Sequence, residues 1–289
     1  MMIIMHNKDM SIINKIFTIP YIDKMIEDNS TPQSFYKCIR RCSKMANVTY
    51  GTAIKEIYRY MNIKYRNEYF FKNTILNGLL INKHDLCDTA ALSELPIGES
   101  KADFVMINGR GIVYEIKTDL DSLIRLNHQI RDYYKVFSYV YVVVGSKYID
   151  KIKDNLELQS VGIYELTKSG RLVQRKKAYC NREYLTYETM FQLLRKSEFE
   201  SILLKHYKKL PEVNNFLYYR ECQKWIGKVN IITLQKEVME CLKKRTLLKE
   251  GDELEEKVPY ELRFYAYFSK KYKLNYEAID EFLHKKMEE

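Results

Sequence analysis

Gly-, Ser- and Pro-rich stretches are missing from these 289 residues, which hold only 10 glycines and 5 prolines. No linker marks a domain boundary, so boundaries must come from changes in hydrophobic periodicity. No internal repeat is visible. The six cysteines, Cys38, Cys42, Cys87, Cys180, Cys222 and Cys241, include no Cys-x-x-Cys pair. Cys38 and Cys42 can share a helix face, but no nearby His or Cys completes a zinc site, which leaves buried free thiols. No apolar run approaches membrane-spanning length, and the opening "MMIIM" is cut short by His6, Lys8 and Asp9 before it can form a signal-peptide core. A cytoplasmic protein without a membrane partner is expected. The glycines of "GRGIV" are not followed by a Walker or dinucleotide-binding pattern, so no ATPase activity is expected either.

What is present is enough apolar material, 46% of residues, to fill a core, and a formal charge of +10 that points toward a polyanion. The charge is unevenly spread. Residues 1–84 carry 13 basic and 6 acidic side chains and residues 146–250 carry 22 and 13, whereas residues 85–145 carry 6 and 9. An acidic centre between basic flanks suits a metal-dependent phosphodiesterase, with carboxylates for a cation and positive charge for a phosphate backbone.

Apolar spacing of three and four predicts helices in "TYGTAIKEIYRYMN" from Thr49, which offers a cap, and in "RNEYFFKNTILNGLLINK" from Arg66. The middle changes register: "ADFVMI", "GIVYEIK" and "YVYVVVG" read as strands, and "VGIYEL" with "RLVQRKK" as a further hairpin. From Tyr184 onward the pattern is helical again, chiefly "PEVNNFLYYRECQKWIG", "IITLQKEVMECLKKR" and "PYELRFYAYFSKK". The expected class is α/β with a mixed sheet. Its expected regions are an N-terminal helical segment (1–65), a core (66–180) and a C-terminal helical domain (181–289).

In the hairpin around Asn108-Gly109-Arg110, a three-residue loop sets Asp103 opposite Glu115, with Lys117 on the same face. A two-residue Asn-Gly loop opposes Asp103 to Tyr114 instead. Two carboxylates meeting at a sheet edge repel unless a cation joins them, and Mg²⁺ or Mn²⁺ suits such oxygen donors. Lys117 can then position a water or stabilise the charge that develops on phosphate.

Ala102-Asp103, eleven intervening residues and Glu115-Ile116-Lys117 resemble the signature of the PD-(D/E)XK nuclease superfamily. Gln129-x-x-x-Tyr133 resembles the helix motif of its RecB-like members, and Ala102 stands where the motif has Pro. The resemblance implies a core of helix, three strands, helix and strand over roughly residues 66 to 145. It implies metal binding by Asp103, Glu115 and the Ile116 carbonyl, help from Lys117 to the attacking water, and support from Gln129 and Tyr133. It also implies an additional acid, for which Glu68 and Glu99 compete. His128 beside Gln129 is read as a surface or packing residue.

For the substrate, Arg171, Arg175, Lys176 and Lys177 are candidate backbone contacts, as are Lys270, Lys271 and Lys273. The expected partner is nucleic acid, DNA ahead of RNA, in defence, counter-defence or repair, with a protein partner conceivable through the helical regions. The alternative is a catalytically silent nucleic-acid-binding or protein-interaction module on the same core.

Overall fold

The computed structural model describes residues 7–28, 32–42, 48–119, 121–246, 248, 253–273 and 275–287, so the "MMIIM" start lies outside the described residues. The chain separates into two units. The first comprises residues 1–83, 168–172 and 250–289, and the second residues 84–167 and 173–249.

The first unit is helical. It contains α1 (Asn7–Ile16), α2 (Ile19–Asp28), α3 (Gln33–Cys42), α4 (Tyr50–Lys64) and α5 (Glu68–Ile75), with a wider π-type turn continuing α5 over Leu76–Ile81. From the far end of the chain come α12 (Leu254–Lys257), α13 (Arg263–Phe268) and α14 (Tyr276–His284). Thr49 caps α4 as expected, its hydroxyl accepting from the Thr52 amide. Buried polar groups join the two ends of the chain: Tyr69 donates to the Glu261 carbonyl at 2.8 Å, and Asn73 donates to the Tyr260 carbonyl at 2.9 Å.

The second unit is built on a six-stranded sheet in chain order, β1 (Ala90–Ile97), β2 (Ser100–Asn108), β3 (Arg110–Lys117), β4 (Tyr139–Gly145), β5 (Gly162–Leu166) and β6 (Leu172–Lys176). The first three strands form an antiparallel meander. β4 lies parallel to β3, and β5 parallel to β4. Parallel neighbours need a crossover, and α6 (Leu126–Tyr134) and α7 (Ile149–Asn155) occupy those two connections. The class is therefore α/β with a mixed sheet.

Alternation along the strands sorts the two faces. Val105, Ile107, Val113, Val140 and Val142 join Ile130, Tyr133 and Tyr134 of α6 in one core. On the opposite face Tyr114 stacks on Tyr141, with centroids 5.6 Å apart, and Tyr164 continues the row. Four more helices, α8 (Tyr187–Leu193), α9 (Lys196–Tyr207), α10 (Asn215–Ile226) and α11 (Ile231–Lys244), complete the unit.

These units divide the chain at other points than the three expected regions. Leu234, Val238, Met239 and Leu242 of α11 are buried in the same core as the sheet, and Gln235 donates to the Val136 carbonyl at 2.7 Å. Helices α8–α11 thus belong with the strands, while residues 250–289 belong with the N-terminal helices. The ends of the second unit meet: the Leu248 amide donates to the Leu86 carbonyl at 3.3 Å, and the Thr246 hydroxyl to that of Ala91 at 2.7 Å. No helix among the described residues is long and apolar enough to cross a membrane.

Candidate active site

The β2–β3 hairpin pairs Asn108 with Arg110 and Phe104 with Tyr114, the register of the three-residue reading, with Gly109 at φ +63°. One step further along this register, Asp103 and Glu115 come level. Asp103 Oδ2 accepts the Ile116 amide at 2.7 Å, which ties the carboxylate of one strand to the backbone of the next. Glu115 and Lys117 share the face that looks toward α6, and Tyr114 takes the other.

Four side chains then close into a circuit. Lys117 Nζ donates to Glu115 Oε1 at 2.7 Å and to Gln129 Oε1 at 2.8 Å. The Tyr133 hydroxyl reaches Glu115 Oε2 at 2.6 Å, and Gln129 Nε2 reaches that hydroxyl at 3.5 Å. Gln129 and Tyr133 are one turn apart on α6, so the four-residue spacing puts both over β3. Glu115 is only 1% exposed. Burial pushes its carboxyl above the ordinary value, against the opposing pull of Lys117 and of the hydrogen bonds from Lys117, Tyr133 and Gln129. Burial and the adjacent Glu115 push the Tyr133 hydroxyl well up, keeping it a donor.

A residue missed in the sequence stands beside Asp103. Glu94 of β1 brings a carboxylate oxygen within 4.8 Å of one from Asp103 and pairs with Lys101 at 2.5 Å. Its backbone is left-handed, φ +56°, in the gap of the β1–β2 ladder between the Ser93–Phe104 and Leu95–Ala102 pairs. The signal was the Gly98 turn: pairing Ile97 with Ser100 carries the register back to Glu94 across from Asp103.

Of the two acids expected to complete the site, Glu99 is exposed in that turn and lies 3.6 Å from His128. Glu68 is the first residue of α5 in the other unit, where it pairs with Lys72 at 2.5 Å. His128 also lies 3.7 Å from Asp132, so it faces the β1–β2 turn.

Some of the expected phosphate contacts make bonds within the chain. Arg175 is paired with Glu165 at 2.5 Å, and Lys176 donates to Gln159 at 3.3 Å. Lys177 is exposed, and Arg171 falls in the segment of the first unit. In that unit Lys271 pairs with Glu27, and Lys273 lies over the Tyr267 ring at 5.3 Å. Lys270 is exposed.

The sequence profile of a family described as bacteriophage P4 protein cII matches residues 61–255, a stretch that holds all six strands. Among curated proteins the chain is similar to protein cII of Enterobacteria phage P4, 28% identical over 130 residues, which are 43% of this chain and 48% of that protein. The chain thus matches about half the length of that relative. Among solved structures it is similar to a protein of unknown function from Silicibacter pomeroyi, with a TM-score of 0.31 and 10% identity over 50% of this chain and 92% of that one.

Proposed function

The chain belongs to the bacteriophage P4 protein cII family, and we propose that it is a metal-dependent nuclease with a PD-(D/E)XK core, hydrolysing phosphodiester bonds in DNA ahead of RNA. One observation carries this reading. Lys117 is held between Glu115 and Gln129 while Tyr133 holds the other Glu115 oxygen, on the strand whose Ile116 amide binds Asp103. A carboxylate as deeply buried as Glu115, with a lysine and a tyrosine aimed at it, is costly for stability alone.

Mg²⁺ or Mn²⁺ is the cofactor this reading implies, and the residues fit it. Asp103, Glu115 and the Ile116 carbonyl offer oxygen donors of the kind hard cations select, and Glu94 brings a further carboxylate beside Asp103. When bound, the cation polarises the phosphate and acidifies a water. The chain's own residues do the rest. Lys117 presents a fixed positive donor to charge developing on phosphate. Gln129 accepts from that ammonium and Tyr133 holds Glu115, so α6 sets the geometry of both groups on β3.

The test is cleavage of linear, circular and single-stranded DNA and of RNA with Mg²⁺, Mn²⁺ or chelator, beside Lys117→Ala. The expected result is cutting that needs metal and disappears in the variant. A second reading has its own observation: α10 exposes Phe216 (94%) together with Leu217 and Tyr219. Such a surface suits a protein partner. If neither protein cuts and both bind nucleic acid equally, the silent-module reading replaces the nuclease, and α10 is where a partner is to be sought.

A further inference from the structure

The sulfurs of Cys38 and Cys42 face each other on α3 at 3.9 Å. Four-residue spacing sets both on one side of the helix, one turn apart, and the structure adds what spacing cannot give: the two thiols are not alike. Cys38 is buried, whereas Cys42, the last residue of α3, is only half-buried. The hydrogen bond from Cys38 holds the Cys42 thiol below its usual value, against burial and the nearby Glu56 carboxylate. The same bond, together with burial, pushes Cys38 up. One sulfur is thus reachable and reactive, and its neighbour is shielded. Redox-active cysteine pairs divide their work in this way.

Distance decides what the pair can do. Cβ atoms one turn apart on a helix are about 5–6 Å from each other, while a disulfide needs about 3.5–4.5 Å. Joining these sulfurs therefore draws Cys42 toward Cys38 and tightens the end of the helix. The place allows it, because α3 ends at Cys42 and no further turn has to follow the movement. A bond formed against that pull is strained, and strained disulfides are the easily reduced ones. A reversible bond fits this geometry better than a permanent crosslink. A closed zinc site does not fit, since it takes four ligands. Among the described residues, the acidic and thiol groups close enough to share an ion do not include this pair.

We infer that Cys38 and Cys42 form a reversible thiol–disulfide site, with Cys42 attacking and Cys38 resolving, whose reaction partner is a small disulfide of the glutathione class. The Cys42 thiolate attacks one sulfur of that disulfide, forming a mixed disulfide and expelling a thiolate, which takes up a proton. Cys38 then gives up its proton and attacks the Cys42 sulfur, closing the internal bond and expelling the second small thiol. Two protein thiols are oxidised, and one disulfide is reduced to two thiols. The site lies in the helical first unit and stands independently of the nuclease reading.

The test incubates the full chain with oxidised glutathione, then unfolds it at low pH, blocks the remaining thiols with N-ethylmaleimide and maps tryptic peptides by mass. Trypsin cuts after Lys37, Arg40 and Arg41, so the two cysteines fall in separate peptides and the internal bond shows as a joined pair. Wild type is expected to give that pair, to lose it in excess reduced glutathione, and to consume Cys42 about tenfold faster than the exposed Cys180. Cys38→Ser is expected to retain glutathione on Cys42, and Cys42→Ser to leave Cys38 without it. The wild-type map needs no substitution and decides the site by itself. No joined pair, a pair that reduced glutathione does not open, Cys42 reacting no faster than Cys180, or Cys42 joined to another cysteine overturns the inference. Glutathione entering Cys38 of Cys42→Ser as fast as Cys42 of Cys38→Ser overturns the assigned order of attack.

Discussion

Tyr133 spans from α6 to the sheet and sets its hydroxyl 2.6 Å from Glu115 Oε2 and 3.0 Å from the Lys101 carbonyl. The hydroxyl has one proton, and the shorter contact to a carboxylate is the stronger bond. Tyr133→Phe leaves that buried oxygen without its donor. We expect a loss of about 1–3 kcal/mol in urea unfolding and a lower kcat with little change in KM.

Glu115 makes stability depend on pH in a definite direction. Its carboxyl is raised by burial, so between the ordinary glutamate value near pH 4.3 and the raised value the folded state binds more proton than the unfolded one. Stability from this group therefore falls as pH rises through that window. Thermal unfolding between pH 4 and 8 should show that fall flattened in Glu115→Gln.

Asp132 acts in the opposite sense. Burial pushes its carboxyl up, but hydrogen bonds from Lys135 and Ser100 and the charges of Lys135 and His128 outweigh it and hold the group below its usual value. Its contribution is complete above the ordinary aspartate range and is lost as pH falls through the lowered value. Asp132→Asn should lose less stability than wild type between about pH 4 and pH 2, read from melting temperatures across that range.

Gly98 sits in the turn that Asp132 grips, with φ +60°, and a Cβ there would meet Asp132 Oδ1 at 2.9 Å. Gly98→Ala is expected to cost about 1–2 kcal/mol from backbone alone and more from the clash. Chemical denaturation beside Asp132→Asn and the double variant separates the two contributions, which should be non-additive because the groups touch.

Glu94 couples strain to the site. Glu94→Gly relieves a left-handed backbone that costs about 1–2 kcal/mol, against a glycine entropy cost of about 0.5–1 kcal/mol, so stability is expected to hold or rise slightly. Glu94→Gln keeps the backbone and removes the charge. If Glu94 is a ligand, titration calorimetry should show weaker Mn²⁺ binding in both variants, about tenfold or more. Unchanged Mn²⁺ binding in both removes it from the donor set.

The part of the site that could be read in advance lay within one or two local elements. The alternation of β3 put Glu115 and Lys117 on one face, the turn at Gly109 set them against Asp103, and four-residue spacing paired Gln129 with Tyr133. Glu94 was legible only through a second turn, at Gly98, and its left-handed backbone has no pattern in residue types. Periodicity shows which side of a helix is apolar and not what it packs against. Helices α10 and α11 were thus recognised as helices, while the place of α11 against the strands was not. The same holds for residues 250–289, whose partners Tyr69 and Asn73 lie about 190 positions earlier in the chain.

The bond between Leu248 and Leu86 has a consequence for how such a chain is assembled. Ends that are neighbours are what circular permutation requires, since a short new link then closes the chain without displacing what it joins. Joining the two ends and opening the chain elsewhere, at the Gly109 turn for instance, should leave the sheet order intact.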